Sequence, residues 1–517
     1  MRRRGLLAGL ALVGLAARPG VLGNWSEQAS AADSPEQPFD DTTVRETARQ
    51  LARRAYEAPS ERLPGRLGEI GYDVYQSMVY DRTRALWRAE GLPFQMQPFH
   101  RGFLYKPRVE LFEVADGRAR PIPYDASAFD LTHAGGPPGE DIGFAGFRLT
   151  NPMNRPDHFD EVASFLGASY FRAIGKGHVY GLSARGLAIA TAERTGEEFP
   201  LFRAFWIQRP RAGGDSIVVH ALLDSPSTTG AYRFTIRPGE STIFDVEARL
   251  YPRTEIATPG IAPLSSMFYF SPLDRLGVDD YRTAVHDSDG LMLSTGRGEA
   301  VWRPVNNPRD LQVSVFTDAN PRGFGLMQRR RSYGDYGDLE ARYDRRPGCW
   351  VEPIGDWGEG AVHLVEIPTT GEIHDNITAF WRPKDPLRAG QEYSYVYRLH
   401  WFGASPFFGR PGAPAPAQFA AASQGVSLGN REARLFVLEA AGGRLQDLPA
   451  DFVPTLDVTS SAGRIVNPVA RRNPETGGWR LSFELVPGPA RLVELRALMT
   501  GPNGPLTETW LFRWTPS

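Results

Sequence analysis

Two short polar runs interrupt a chain otherwise written in apolar alternation, and both carry residue types suited to acid–base chemistry. The first is His286-Asp287-Ser288-Asp289-Gly290, just ahead of Leu291-Met292-Leu293. The second is Thr369-Thr370-Gly371-Glu372-Ile373-His374-Asp375-Asn376, after an expected strand from Val362 to Ile367. Each holds two acids and a histidine on an expected loop, where binding and catalytic residues concentrate. A pair of carboxylates can divide proton donation from proton acceptance once their surroundings push their pKa values apart. Asp-Gly and Thr-Gly are equally ordinary turn pairs, so hairpin turns are the competing reading of both runs. Composition does not select an acid from the 60 carboxylates.

Other familiar chemistry is missing from the pattern. The nine histidines never fall three to five residues apart, which leaves no metal-ligand spacing. Gly175-Lys176-Gly177-His178-Val179-Tyr180-Gly181 has one residue too many for a dinucleotide fingerprint and lies in strand-rich sequence. Gly181-Leu182-Ser183-Ala184-Arg185 lacks the final glycine of a nucleophile elbow. The single Cys349, beside Trp350, excludes an internal disulfide and reads as a buried apolar residue. No metal and no cofactor are expected. Trp206, Trp302, Trp350, Trp357 and Trp381 read either as core or as platforms for sugar rings.

The formal charge of −2 over 517 residues argues against a nucleic-acid partner, which would call for a basic excess. Lysine occurs only at Lys106, Lys176 and Lys384, so arginine supplies the other 55 of 58 basic residues. These arginines are spread along the whole chain, as codon bias would leave them. Arg2, Arg3 and Arg4 precede an apolar run from Gly5 to Ala17 that is too short to span a bilayer. Residues 1–31 therefore read as a twin-arginine export signal with a periplasmic destination, with cleavage after Ala29-Ser30-Ala31 or after Gly23, and an uncleaved anchor is the competing reading. Removal of residues 1–31 takes away four arginines and Glu27, leaving a mature chain of −5 with no expected membrane span.

The elements that must position these groups are mostly strands. A helix is expected at the start, with Thr43 and Glu46 at capping-box spacing and Val44, Ala48, Leu51, Ala52 and Ala55 as its stripe. A second is expected around Tyr80 to Arg88, and Phe103-Leu104-Tyr105 reads as a strand. Tyr393, Tyr395, Tyr397 and Leu399 alternate on one strand face. Residues 403–416 are rich in Gly, Pro and Ala and read as a linker. The expected organisation is all-β: a large sandwich over 32–402, then a small immunoglobulin-like sandwich over 417–517.

Several blocks resemble the periplasmic glucans biosynthesis protein D and G family. They include Gly143-Phe144-Ala145-Gly146-Phe147-Arg148, Tyr180-Gly181-Leu182-Ser183-Ala184-Arg185-Gly186-Leu187-Ala188-Ile189 and Trp302-Arg303-Pro304-Val305-Asn306-Asn307-Pro308. The likeness continues to Glu508-Thr509-Trp510, and the twin-arginine signal is more like protein D than protein G. The resemblance implies a mutarotase-like large sandwich and an anomer-inverting endo-β-1,2-glucanase chemistry. It implies Asp375 as general acid in a Gly-Glu-x-x-Asp-Asn block, Asp287 as general base in His-Asp-Ser-Asp, and Tyr343 of a Tyr-x-x-Arg-Pro block as arranging a proton path through water. Glu372, Asp289, His286 and Asn376 are the supporting residues, and β-1,2-glucan is the implied ligand.

Such hydrolysis needs one protonated acid at the leaving oxygen and one base activating water on the opposite face. Departures from the family pattern occur at Ala190, at Arg331-Ser332-Tyr333 and over residues 334–338. The last two fall in a loop governing water access, so transglycosylation or cyclisation stands beside hydrolysis. A non-catalytic scaffold that presents glucan to other enzymes is the alternative from another class.

Overall fold

The computed structural model describes residues 36–275, 277–403 and 415–516. The export signal expected over 1–31 and most of the linker expected over 403–416 lie outside the described residues. The fold is nearly all-β, with helices confined to a few short segments. The described residues form two compact units, one of 36–263 together with 380–401, the other of 264–379 together with 402–403 and 415–516.

In the first unit, strands Leu201–Gln208, Ile217–Asp224, Thr228–Arg237, Thr242–Pro252 and Tyr393–Phe402 are neighbours in that order. A second sheet runs through Ser183–Arg185, Tyr170–Ala173, His158–Leu166, Phe144–Arg155 and Gln95–His100. Rings from the two sheets interlock: Phe147 on Phe205 and Phe165 on Phe234 meet edge to face and Phe171 stacks on Phe244, with centroids 5.1–5.8 Å apart. Such pairs add specific geometry to apolar burial, and the arrangement is a sandwich. Tyr395, Tyr397, Leu399 and Trp401 are all buried on one face of their strand, as the alternation requires.

Gly146 lies where two strands of the second sheet approach closely. Its φ is +154°, and a Cβ there would run into the Phe165 carbonyl oxygen. Gly146→Ala is expected to destabilise the protein by about 2 kcal/mol or more, since backbone strain and a backbone clash coincide. Thermal melting checks this; an unchanged midpoint would contradict the argument.

Local expectations met three corrections. The helix Thr43–Leu51 forms and buries Val44 and Ala48, but Thr43 and Glu46 do not make its capping box. Asp40 caps it instead, accepting from the backbone N–H groups of Thr42 (2.8 Å) and Thr43 (3.0 Å). Over Tyr80 to Arg88 only Arg82–Arg84 is helical, and Trp87 at φ +67° breaks any continuation. Phe103 also has positive φ, so Gly102 to Tyr105 is a tight turn rather than a strand.

In the second unit, strands Gly348–Ile354, Gly323–Met327, Gly290–Ser294, Ala300–Pro304, Thr509–Trp514, Val493–Gly501 and Thr455–Ser460 lie side by side. All these pairings are antiparallel except that of Ala300–Pro304 with Thr509–Trp514, where Trp302 sits opposite Trp510. A four-stranded sheet has the order Gln418–Val426, Arg434–Ala441, Gly478–Val486, Arg464–Asn473. Phe419, Phe436, Leu481 and Phe483 of that sheet share one core with Trp302, Trp350, Trp510 and Phe512. Both polar runs singled out in the sequence belong to this unit.

Candidate functional site

The run from His286 to Gly290 is no surface turn. Val285–His286 pairs with Phe268–Phe270, and the Asp287 N–H donates to the Met267 carbonyl at 2.8 Å. Ser288 and Ser266 share a buried hydroxyl–hydroxyl bond of 2.8 Å, and the Asp289 N–H donates to Met327 at 2.7 Å. Backbone pairing thus carries three polar side chains into the interior at the start of strand Gly290–Ser294. The second run is a loop, as its Thr-Gly pair implies. Thr369 exchanges hydrogen bonds of 2.9 Å with the side chain of Asn307, and the Thr369 hydroxyl donates to the Gly371 carbonyl at 2.8 Å.

Asn376 closes that loop. Its side-chain Oδ1 accepts from the Phe268 N–H at 2.8 Å, and its side-chain Nδ2 donates to the Ile367 carbonyl at 3.0 Å. It is a clamp on buried backbone rather than a group offered to a ligand. Asp375, one residue earlier, is half-buried with its Oδ2 out of solvent.

Side chains from four segments join into one polar chain. Asp287 is buried and ion-paired with the equally buried Arg346. The Arg346 guanidinium lies 4.3 Å from the centre of the Tyr343 ring. The Tyr343 hydroxyl donates to Glu372 Oε2 at 2.9 Å, and the same oxygen accepts from Arg282 at 2.7 Å. Tyr343 heads a short helical turn, Tyr343–Arg345, entered through Arg342 at φ +47°. Burial first, and the neighbouring charges of Glu372 and Asp287 after it, raise the Tyr343 phenol above its usual range against the opposing pull of Arg346. The phenol therefore acts as a neutral hydrogen-bonding group. The structure thus brings together Asp287, Tyr343 and Glu372 of the expected set.

His286 and Asp289 form a supporting cluster. Arg330 donates to Asp289 Oδ1 at 2.8 Å and to His286 Nε2 at 3.2 Å. A guanidinium only donates, so Nε2 accepts and Nδ1 carries the proton toward Gln328 Oε1 at 2.9 Å. The Gln328 amide in turn donates to the His286 carbonyl (2.9 Å) and the Tyr343 carbonyl (3.2 Å). Gln328 thereby ties the segment of Asp287 to that of Tyr343. Burial would raise Asp289, but the charge and hydrogen bonds of Arg330 outweigh it and hold the carboxyl well below its ordinary range.

Burial also drives His286 from its ordinary 6.5 down to about 4, and it does the same to His100 and His220. Between those values the unfolded chain binds protons that the folded chain refuses, so stability is lost as pH falls from 6.5 toward 4. By pH 5 each imidazole is expected to cost about 2 kcal/mol. Melting temperature measured from pH 7.5 to 4.5 should drop most steeply across this window; a flat profile would contradict the burial argument.

Sequence reading missed Arg282, Gln328, Arg330 and Arg346. Arg346 had a signal, since it is the arginine of the Tyr-x-x-Arg-Pro block that pointed to Tyr343. Trp206, Trp302, Trp350, Trp357 and Trp381 are all buried, which makes them core and removes them as sugar platforms. Cys349 is buried, and burial raises its thiol well above the ordinary range. Among the described residues no group of three His, Cys, Asp or Glu side chains could hold a metal ion, and no helix is long and apolar enough to cross a membrane.

Residues 39–514 match the family described as "Periplasmic glucan biosynthesis protein, MdoG". The chain belongs to that family. It is 54% identical to glucans biosynthesis protein G of Rhodopseudomonas palustris over the full length of both chains. It is 51% identical to the protein of that name from Vibrio cholerae, across 92% of this chain and 87% of the relative. Its counterpart in Shewanella frigidimarina is 48% identical over 92% of this chain and 85% of the relative. These relatives carry the G name, so the expected closeness to protein D is not supported. Family membership ties the chain to glucan biosynthesis.

Proposed function

We propose that the chain acts in the periplasm on the β-1,2-glucan backbone of osmoregulated periplasmic glucans, as an acid–base glycoside hydrolase or transglycosylase. Asp375 is the general acid, Asp287 the general base, and Tyr343 orders the water between nucleophile and base. Glu372 holds the Tyr343 hydroxyl, and His286, Asp289 and Asn376 hold the backbone that carries the reacting groups. The reading rests on one observation above the rest: Glu372, Tyr343, Arg346 and Asp287, from three sequence segments, make one continuous run of polar contacts. A neutral glucan suits a chain of small net charge.

A second reading, a glucan-binding scaffold without turnover, draws support from the Arg346–Asp287 ion pair, because a carboxylate paired with an arginine is a weaker base. Product analysis of purified linear β-1,2-glucan by mass spectrometry separates the readings. Shorter linear products mean hydrolysis, and cyclic or lengthened products mean transfer. Tight binding with no product over long incubation would overturn both catalytic forms and leave the scaffold.

A further inference from the structure

We propose that Arg282 is a positioning residue that sets the direction of the hydrogen-bond chain through Tyr343; this rests on the acid–base reading above. Arg282 stands between three carboxylates. Its guanidinium donates to Asp280 at 2.8 and 3.0 Å, to Asp338 Oδ2 at 2.9 Å and to Glu372 Oε2 at 2.7 Å. Its side chain is only 12% exposed. Asp338 is itself fixed by the backbone N–H groups of Glu340 (2.9 Å) and Ala341 (2.7 Å), so the hub has little freedom to swing. Asp338 also closes the 334–338 segment, where this chain departs from the family pattern.

The consequence follows from counting donors. Glu372 Oε2 receives two, Arg282 and the Tyr343 hydroxyl, and an oxygen in that position is an acceptor only. The Tyr343 proton is thereby committed to Glu372, and the phenol oxygen presents only lone pairs to anything on its other side. A water beside it must donate to Tyr343, which leaves that water's remaining proton and lone pairs to face the nucleophile and Asp287. Without Arg282 the Glu372 carboxylate loses the donor that fixes it opposite Tyr343, so the hydroxyl can rotate away from it and turn its proton outward. The same water would then be oriented the opposite way. Arg346, the other cation at Tyr343, packs against the ring and pairs with Asp287, so it does not replace Arg282 on Glu372.

The test is steady-state kinetics of wild type, Arg282→Lys, Arg282→Gln and Glu372→Gln on linear β-1,2-glucan, in water and in heavy water, with thermal melts of each. Arg282→Gln is expected to lower kcat about 10²-fold with KM changed no more than about twofold, as loss of orientation does. Its solvent isotope effect on kcat should differ from wild type and match that of Glu372→Gln, and Arg282→Lys should restore part of the rate. A purely structural role would reduce the active fraction without moving the isotope effect, and that result overturns the inference. So does wild-type kcat in Arg282→Gln. If Arg282→Gln fails to fold, Glu372→Gln and Arg282→Lys carry the same isotope readout. Absence of turnover in wild type would remove the acid–base reading and this inference together, whereas turnover with an unmoved isotope effect removes only the inference.

Discussion

Asp375→Asn is expected to lower turnover of linear β-1,2-glucan by about 10²–10⁴-fold, the usual share of a positioned proton donor. The substitution keeps shape and half-burial but removes the transferable proton, so the melting temperature should stay near that of wild type. The decisive control is the leaving group. A sugar hydroxyl leaves badly without protonation, whereas an aryl leaving group departs as a stable phenolate. If Asp375 is the acid, the defect should nearly vanish on an aryl β-glucoside oligomer, while Asp287→Asn should remain slow on both substrates because water activation is still missing. Equal defects on both substrates would remove Asp375 from the acid role, and full activity of Asp375→Asn would remove it from the site.

Glu508→Ala is expected to destabilise the protein by about 3–5 kcal/mol, because it strips one partner from a buried ion pair. Arg329 and Glu508 are 5% and 1% exposed, and both guanidinium nitrogens Nη1 and Nη2 engage the carboxylate. Glu508 Oε1 also accepts from the Phe419 N–H at 2.7 Å, and Arg329 lies 3.5 Å from the Trp302 ring centre. Alanine leaves the guanidinium buried without its counter-charge and the Phe419 N–H without its acceptor. For a unit of this size the midpoint should fall by roughly 10 °C. Glu508→Gln should fall between, since it retains an acceptor but no charge. The loss should also reach the candidate site, because the Arg329 N–H donates to Asp289 Oδ2 at 2.9 Å. A midpoint within a degree of wild type would show that this pair contributes little.

Where the sequence was legible, one physical pattern dominated its neighbourhood. Tyr393 to Leu399 and Leu481 to Leu485 alternate cleanly because one face of each strand is core and the other is wet. The strand Gln418–Val426 escaped notice because its Ala-Ala-Ala-Ser-Gln-Gly run has no large apolar side chain to mark a face. Arg464–Asn473 escaped because it is an exposed, polar outer strand, interrupted by a register shift between Val466 and Val469. Over Phe103-Leu104-Tyr105, three apolar letters promised a strand, but a positive φ turned the chain back on itself.

The candidate site divides the same way. Its acids stood out as polar breaks in an apolar text, whereas Arg282, Arg330 and Arg346 were three among 55 arginines with no local contrast. What pairs them is long-range register, which no window of sequence contains.

The interleaving of the two units along the chain has a consequence for synthesis. Strand Thr242–Pro252 receives its second neighbour only from Tyr393–Phe402, with Thr242 opposite Trp401 and Leu250 opposite Tyr393. About 140 residues must leave the ribosome between them, which at bacterial elongation rates of about 5–20 residues per second takes roughly 7–28 s. For that interval the nascent chain carries an eleven-residue open sheet edge, the kind of surface that pairs with a neighbouring polypeptide. The step most exposed to aggregation in the cell is therefore the wait for residues 393–401, and chaperone demand during translation should peak before they emerge.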